Sequence, residues 1–343
     1  MNASRSPTSA TSPRASSASR TGSWRCGRAD RSSAAMPMPT SSRWPTGSTR
    51  DARPSRHRSK GVRMSLAEIA WLEFLDRGFM RHALLATVPV AVVAPMVGTF
   101  VVQRRQSLIG DGIGHVAFAG VGLGFLFDFD ILLGATILSL LAAVLLPWLQ
   151  RSGLSGDLSL AMIFYGGIAL GYFFMHRSGI GINNALGVLF GSPLNLSFAD
   201  AATIAGLAGG VLLLMAVFYR PLVAIAFDEA AARVSGIHAD RLVLTLTVIV
   251  ALVVVGGMYT IGILLVAGLM VVPVAAASQL SRSYRGTMLG AAAIGGGCAL
   301  FGLVFAYYAD ETPGSSIVLG AIACYVLAVL IRLARDRVRR EIA

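Results

Sequence analysis

Apolar residues run in long, nearly unbroken stretches from residue 81 to residue 333, and polar residues are mostly confined to the short segments between them. Most stretches are close to 20 residues long, the length of helix that crosses a hydrocarbon core about 30 Å thick. They lack a period of two, so they predict helices rather than the strands of a barrel. The predicted spans are 81–102, 111–127, 130–149, 158–176, 199–219, 241–258, 260–280, 287–308 and 315–333, with a non-spanning segment at 180–196. The pattern therefore predicts an all-α, polytopic membrane helix bundle of eight to nine transmembrane helices.

The arginines between these spans predict how the bundle is oriented. If the nine spans alternate in direction, the arginine-rich segments all lie on one side of the membrane. They are Arg104 with Arg105, Arg151, the stretch from Arg220 to Arg241, Arg282 with Arg285, and the cluster from Arg332 to Arg340. Because positively charged loops stay in the cytoplasm, we expect this side to be cytoplasmic.

Composition supports a membrane protein and argues against a nucleic-acid partner. Of the 343 residues, 55% are hydrophobic and 13% are charged, whereas soluble proteins carry about 25% charged residues. The formal net charge is +12, but residues 1–63 contain 13 Lys and Arg against 2 Asp and Glu. The body is therefore nearly neutral, and it lacks the basic, aromatic-rich face that nucleic acids need.

Residues 1–63 differ from the rest of the chain. They are rich in Ser and Arg and show no apolar periodicity, so this segment is predicted to be a disordered basic tail. It has no apolar core of the kind that a secretory signal requires. We interpret Met64 as the start of translation and residues 1–63 as an untranslated or non-functional extension. An organelle transit peptide and a genuine tail remain alternatives, and residues 64–343 form the second predicted domain.

Two ionisable residues inside the second predicted span are the main candidates for chemistry. Asp111 and His115 are four residues apart, so on a helix they share one face. His115 lies ten residues after Arg105, which is about 15 Å of continuous helix and roughly half of the hydrocarbon core. A carboxylate beside an imidazole suits a divalent first-row metal such as zinc or manganese. Two alternatives remain open at this point, namely a structural hydrogen bond between helices and a proton relay.

Other motifs argue against an enzyme. The only lysine is Lys60, in the tail, so the chain lacks the phosphate-binding loop of an ATPase. Cys26, Cys298 and Cys324 do not have the spacing of a zinc site. The chain is therefore predicted to be no enzyme and to hold no permanently bound cofactor.

One polar stretch between the fifth and sixth spans predicts a short helix. Phe227, Asp228 and Glu229 open it, and carboxylates at the first turn are favoured by the helix dipole. Gly236 is placed to end the helix. The stretch is too short and too polar to cross a membrane, so it is either an ordinary surface helix or a rigid element that docks into a partner.

Five stretches of this sequence resemble the membrane permeases of bacterial zinc and manganese ABC transporters, the ABC-3 family. They are Phe100 to Gly124 with its G-D-x-x-x-H motif, Leu189-Phe190-Gly191, Phe227 to Gly236, Gly262 to Ala277 with I-L-L-V-A-G-L-M-V-V-P, and Thr312 to Leu319. The resemblance covers Phe79 to about Arg332 and implies a permease like those of type II ABC importers. It implies that Asp111 and His115 coordinate the transported metal and that Phe227, Asp228, Glu229 and Gly236 belong to the helix that couples to the ATPase.

The resemblance also implies the cargo and the partners. We expect the permease subunit of an ATP-driven importer of a divalent metal ion, with zinc as the first expectation and manganese or iron as the others. The alternative is a proton-coupled secondary transporter of a divalent cation. The implied partners are a second permease copy, two ATP-binding cassette subunits, an extracytoplasmic metal-binding protein and the lipid bilayer of the bacterial cell membrane.

Overall fold

The computed structural model describes residues 78–179, 187, 189–191 and 196–342, without the side chains of 339–342. The predicted tail at 1–63 and Met64 lie outside the described residues, as does most of the predicted non-spanning segment at 180–196. In the described part the chain forms helices and no strands. The ten helices are α1 (Gly78–Gln103), α2 (Ile109–Phe127), α3 (Ile131–Arg151), α4 (Gly156–Arg177), α5 (Phe198–Phe227), α6 (Glu229–Val234), α7 (Ala239–Thr260), α8 (Ile263–Leu280), α9 (Tyr284–Ala309) and α10 (Pro313–Ile342).

The predicted membrane helix bundle is confirmed. All helices except α6 are long and apolar enough to cross a membrane, which gives 9 candidate spans among the described residues. Each begins and ends within a few residues of its predicted limits, except at the ends of α5 and α10. The prediction ended the fifth span at residue 219 because Arg220 and Pro221 follow. Instead, α5 continues through Pro221 to Phe227, because a proline removes one backbone hydrogen bond without obliging the chain to leave the helix.

The helices α1, α2, α7 and α8 form the centre of the bundle. The first helix, α1, packs against α5, α7, α8 and α9, and α2 packs against α3, α4, α7 and α8. Their large buried side chains include Phe100, Ile113, Ile249 and Ile263. The Thr247 hydroxyl lies 2.9 Å from the Ala143 carbonyl of α3 and 2.9 Å from the Leu244 carbonyl of its own helix, so its one proton is shared between α3 and α7. The outer helices, above all α10, expose apolar side chains as expected of a surface that faces lipid.

Glycines allow the helices of this bundle to approach closely. Gly120 of α2 and Gly134 of α3 lie against each other's backbone, and neither position has room for a side chain. Gly171 of α4 packs against the ring of Phe118 in the same way. These glycines therefore mark places where the helices pack tightly.

Polar side chains at one end of the bundle join segments that are far apart in sequence. Arg104, which follows α1, pairs with Glu229 of α6, and Arg151 and Arg233 both pair with Asp240 of α7. The arginines that follow α1 and α3 thus lie at the same end as the polar segment after α5, as the alternating topology requires.

Candidate metal site

The site is built on the first two turns of α2. Asp111 lies in the first turn and His115 one turn later, so the two side chains share one face of the helix. Both side chains are partly exposed, whereas Gly110, Gly112 and Gly114 are buried. The predicted pairing of these two residues on one face is thus present. The first-turn position also favours the negative charge of Asp111 through the helix dipole.

The two residues lie closer to the start of a helix than the sequence predicts. The prediction treated residues 105 to 115 as one continuous helix. The structure instead places a non-helical connection between Gln103 and Ile109, so His115 lies about 9 Å along α2 from its first residue. The site is therefore near the end of the bundle that carries Arg104.

Glycines hold α2 firmly between its neighbours. A methyl group at Gly110 would lie 3.3 Å from both Ala267 and Met270 of α8. On the other face, a methyl group at Gly167 of α4 would lie 2.7 Å from the His115 carbonyl carbon. Since neither contact leaves room for a side chain without displacement, backbone packing fixes the rotation of α2 and the direction in which its polar face points.

The helix α4 supplies the wall of the site. The ring of Phe164 meets the imidazole of His115 edge to face, with 4.5 Å between ring centroids. A cavity of about 370 Å³ lies between α2 and α4, and Asp111, Asp157 and Tyr165 line it with Phe164 and neighbouring apolar side chains. Asp157 lies in the first turn of α4. The cavity therefore carries two carboxylates, which favours a cation over an anion inside it.

The described part of one chain does not bring together enough ligands to enclose a metal ion. Among the described residues, no group of three or more His, Cys, Asp or Glu side chains is placed to hold a metal. The hydrogen bonds and ion pairs of this part of the chain also do not include the Asp111 carboxylate or the His115 imidazole. The structure therefore gives no support to the alternative in which these two groups form a hydrogen bond between helices.

The second group of predicted residues forms a turn and a short helix after α5. The Asp228 carboxylate caps α6 by accepting the Ala231 N–H at 2.9 Å. Gly236 ends the segment with a φ of +81°, a conformation that glycine adopts without strain. Val234 at the tip of α6 is 90% exposed. The helix α6 thus has the predicted position, and it presents an exposed apolar residue away from the bundle.

Phe227 and Glu229 contact this chain itself. The ring of Phe227 lies 5.4 Å from that of Tyr284 in α9, measured between centroids. The Glu229 carboxylate accepts hydrogen bonds from Arg104 at 2.7 Å and from Arg233 at 2.8 Å. Both residues are therefore placed to hold α6 against the bundle.

Partial burial alone would raise the pKa of Glu229. Hydrogen bonds from Arg233 and Arg104, together with their positive charges, outweigh that effect and lower the pKa of the carboxyl below its ordinary range. The carboxylate is therefore ionised at neutral pH and remains paired.

Three residues of this region were not predicted from the sequence to belong to a functional site. Asp157 lines the cavity with Asp111, Arg104 pairs with Glu229, and Val234 forms the tip of α6. Asp157 and Arg104 act with residues that are distant in sequence, and such pairs leave no local spacing signal. The exposed position of Val234 follows from the direction of α6, which the sequence does not encode locally.

Comparison with known proteins agrees with this architecture. The family model described as the ABC 3 transport family matches residues 76–332. The manganese import system permease protein ScaB of Streptococcus gordonii is 27% identical, over 78% of this chain and 96% of that protein. The manganese transport system membrane protein MntC of Halalkalibacterium halodurans is 29% identical, over 75% of this chain and 88% of that protein. Among solved structures, PsaBC from Streptococcus pneumoniae in complex with Fab matches with a TM-score of 0.68 and 28% identity, over 75% of this chain and 95% of the matched chain.

Proposed function

Because this chain belongs to the ABC 3 transport family, we propose that it is the permease subunit of an ATP-driven importer and that its cargo is manganese. The chain is a multi-pass protein of the bacterial cell membrane. From the sequence alone zinc was the first expectation for the cargo. The names of the relatives ScaB and MntC support manganese instead, and zinc and iron are the competing cargoes.

A single observation carries the proposal of a metal site. Asp111 and His115 share one face of a helix that glycines hold in place, and neither side chain forms a hydrogen bond or ion pair with another described residue. A doubly charged ion loses much of its hydration when it enters a membrane protein, so fixed ligands must replace the lost water. Carboxylate oxygen suits manganese, and imidazole extends the choice to zinc and iron.

A second permease copy completes the ligand set in this proposal. One chain contributes two ligands, and two copies related by a twofold axis contribute four. A divalent first-row metal held in a protein is commonly bound by at least four ligands, which a single chain does not supply among its described residues. The cavity with Asp111 and Asp157 then forms part of the route by which the ion leaves the site.

ATP hydrolysis is assigned to two ATP-binding cassette subunits that dock on α6. The exposed tip at Val234 and the fixed cap at Asp228 suit a rigid element that a partner can push. An extracytoplasmic metal-binding protein delivers the ion on the opposite side. Movement of the two permease copies then opens the metal site to one side of the membrane at a time.

The test is uptake by the complex of permease and ATPase subunits in lipid vesicles, supplied with the external binding protein. We expect manganese to accumulate only with ATP. We also expect zinc or iron to inhibit the uptake of labelled manganese less than the same concentration of unlabelled manganese does. Accumulation driven by a proton gradient without ATP would instead favour the proton-coupled carrier. Equal uptake of zinc with no preference for manganese would overturn the cargo assignment alone.

A further inference from the structure

Arg104 lies between the end of α1 and the start of the site helix α2, and its side chain is only 10% exposed. Its guanidinium donates one hydrogen bond to the main-chain carbonyl of Ile225 at 3.1 Å and another to the Glu229 carboxylate at 2.7 Å. Ile225 is in the last turn of α5, and Glu229 is the first residue of α6. Asp228 lies between α5 and α6, and we call this junction the hinge. The Arg104 side chain therefore connects both sides of the hinge to the segment that leads into α2.

The connection between α1 and α2, residues 104–108, is held by backbone hydrogen bonds. Within it, the Gln106 N–H donates to the Val101 carbonyl at 3.0 Å, and the Ile109 N–H donates to the Gln106 carbonyl at 3.0 Å. Two backbone hydrogen bonds of Gln106 therefore tie this connection to the end of α1 and to the start of α2. We therefore expect a displacement of Arg104 to move the first turn of α2, which contains Asp111.

The helix α8 holds this connection from the other side. The backbone of Met270 lies against Gly98 of α1, and its side chain lies against Gly110 of α2. The end of α1 and the start of α2 are thus packed on one residue, which favours their movement as one unit.

A second contact links the α5–α6 hinge to the same end of α1. Phe227 packs against Tyr284, and Tyr284 packs edge to face against Phe100, with 5.6 Å between the last two ring centroids. Phe100 is fully buried and lies one helical turn before Arg104. The hinge therefore reaches α1 through an aromatic contact as well as an ion pair.

Other ion pairs at this end of the bundle are less suited to transmit force. Those of Asp240 with Arg233 and Arg151 join side chains that are each at least 50% exposed, and exposed pairs contribute little. The Arg104 guanidinium is nearly enclosed, and its bond to a carboxylate is strengthened by charge.

We propose that Arg104 is a positioning residue that ties the helix α6 to the metal-site helix α2, so that a push on α6 moves Asp111. This inference rests on the proposed function, because it assumes that α6 receives the ATPase and that Asp111 binds the metal. Arg104 does not itself touch the metal.

The test measures coupling and metal binding separately in the reconstituted complex. In Arg104→Gln, we expect the number of manganese ions imported per ATP hydrolysed to fall about tenfold, while equilibrium manganese binding without ATP stays within about twofold of wild type. Glu229 keeps Arg233 as a partner at 2.8 Å in this variant, which favours an intact fold. Arg104→Lys keeps the charge but loses the two-pronged bonding, and an intermediate loss is expected.

Two further variants make the result specific. Arg105→Gln alters the exposed neighbour of Arg104, and its coupling should equal that of wild type. The double variant Arg104→Gln with Glu229→Gln should lose less coupling than the sum of the two single losses, because both changes break the Arg104–Glu229 pair and only Glu229→Gln also breaks the pair with Arg233.

Normal coupling in both Arg104→Gln and Arg104→Lys would overturn the inference. The inference would also be overturned if Arg104→Gln lost as much equilibrium manganese binding as uptake. Arg104 would then support the metal site itself. If the wild-type complex moves no metal with ATP, the proposed function fails instead, and the two failures are thereby distinguished.

Discussion

Gly167 of α4 controls how closely that helix approaches the metal-site helix, so Gly167→Ala should weaken both stability and transport. A Cβ at this position would lie 2.7 Å from the carbonyl carbon of His115 and 2.7 Å from the nitrogen of Val116, whereas ordinary van der Waals contact begins at 3.4 Å. Both neighbours are backbone atoms and cannot rotate away. The helices α2 and α4 must therefore separate by several tenths of an ångström, which shifts His115 relative to Phe164.

Gly166 provides the matched control for this change. A Cβ there would meet nothing within 4 Å, and the same holds for Gly209 on α5. Replacing a helical glycine by alanine gains about 0.5–1 kcal/mol through backbone entropy, and this gain is common to all three variants. The difference between Gly167→Ala and Gly166→Ala is therefore the overpacking cost, about 1–3 kcal/mol.

That difference is measurable in two ways. In thermal melting of the purified permease, at one scan rate for all variants, Gly167→Ala should melt about 2–12 °C below Gly166→Ala. In vesicles at a temperature where both are folded, Gly167→Ala should also take up manganese more slowly. Equal melting temperatures and equal uptake rates for Gly167→Ala, Gly166→Ala and Gly209→Ala would refute the packing argument.

Two smaller effects follow from the polar contacts of the bundle. Thr247→Val removes the hydrogen bond to Ala143 that joins α7 to α3 and should destabilise the permease by about 0.5–1.5 kcal/mol in melting experiments. Thr245→Val is its control, because that hydroxyl bonds only to its own helix; equal melting of the two would contradict the assignment. The second effect concerns pH. Because the folded pKa of Glu229 is lowered, its pairing is complete above the unfolded value of about 4.3 and is lost only as pH falls through the lower folded value. In wild type, the number of manganese ions imported per ATP should thus not fall through protonation of Glu229 between about pH 7 and pH 5.5. Glu229→Gln should lower this number at both pH values. A decline over this range in wild type that Glu229→Gln lacks would contradict the lowered pKa.

Helix length and helix spacing are the features that the sequence predicted well. The nine spans were recognisable because each must satisfy its own backbone hydrogen bonds over the thickness of a membrane. This requirement produces a continuous apolar run of about 20 residues, which can be seen in the sequence. The common face of Asp111 and His115 followed in the same way from a spacing of four residues.

Features that depend on several segments were missed or misplaced. The depth of His115 was overestimated because helix was counted from Arg105, whereas α1 ends at Gln103 and α2 begins only at Ile109. The pairing of Arg104 with Glu229 joins residues 125 positions apart, and no local spacing predicts it. The extension of α5 past Pro221 was hidden because a proline beside an arginine resembles the end of a span.

The central claim is that Asp111 and His115 carry the transported metal, and direct measurement of manganese uptake by variants of these two residues tests it. Asp111→Asn and His115→Ala should each assemble with the ATPase subunits and lose most ATP-driven uptake and most equilibrium manganese binding. Asp310→Asn and His176→Ala are the matched controls, because both residues are exposed and lie at helix ends away from the candidate site. Both controls should transport at the wild-type rate. If Asp111→Asn and His115→Ala assemble and still import manganese as fast as their controls, the pair is structural and the account is wrong.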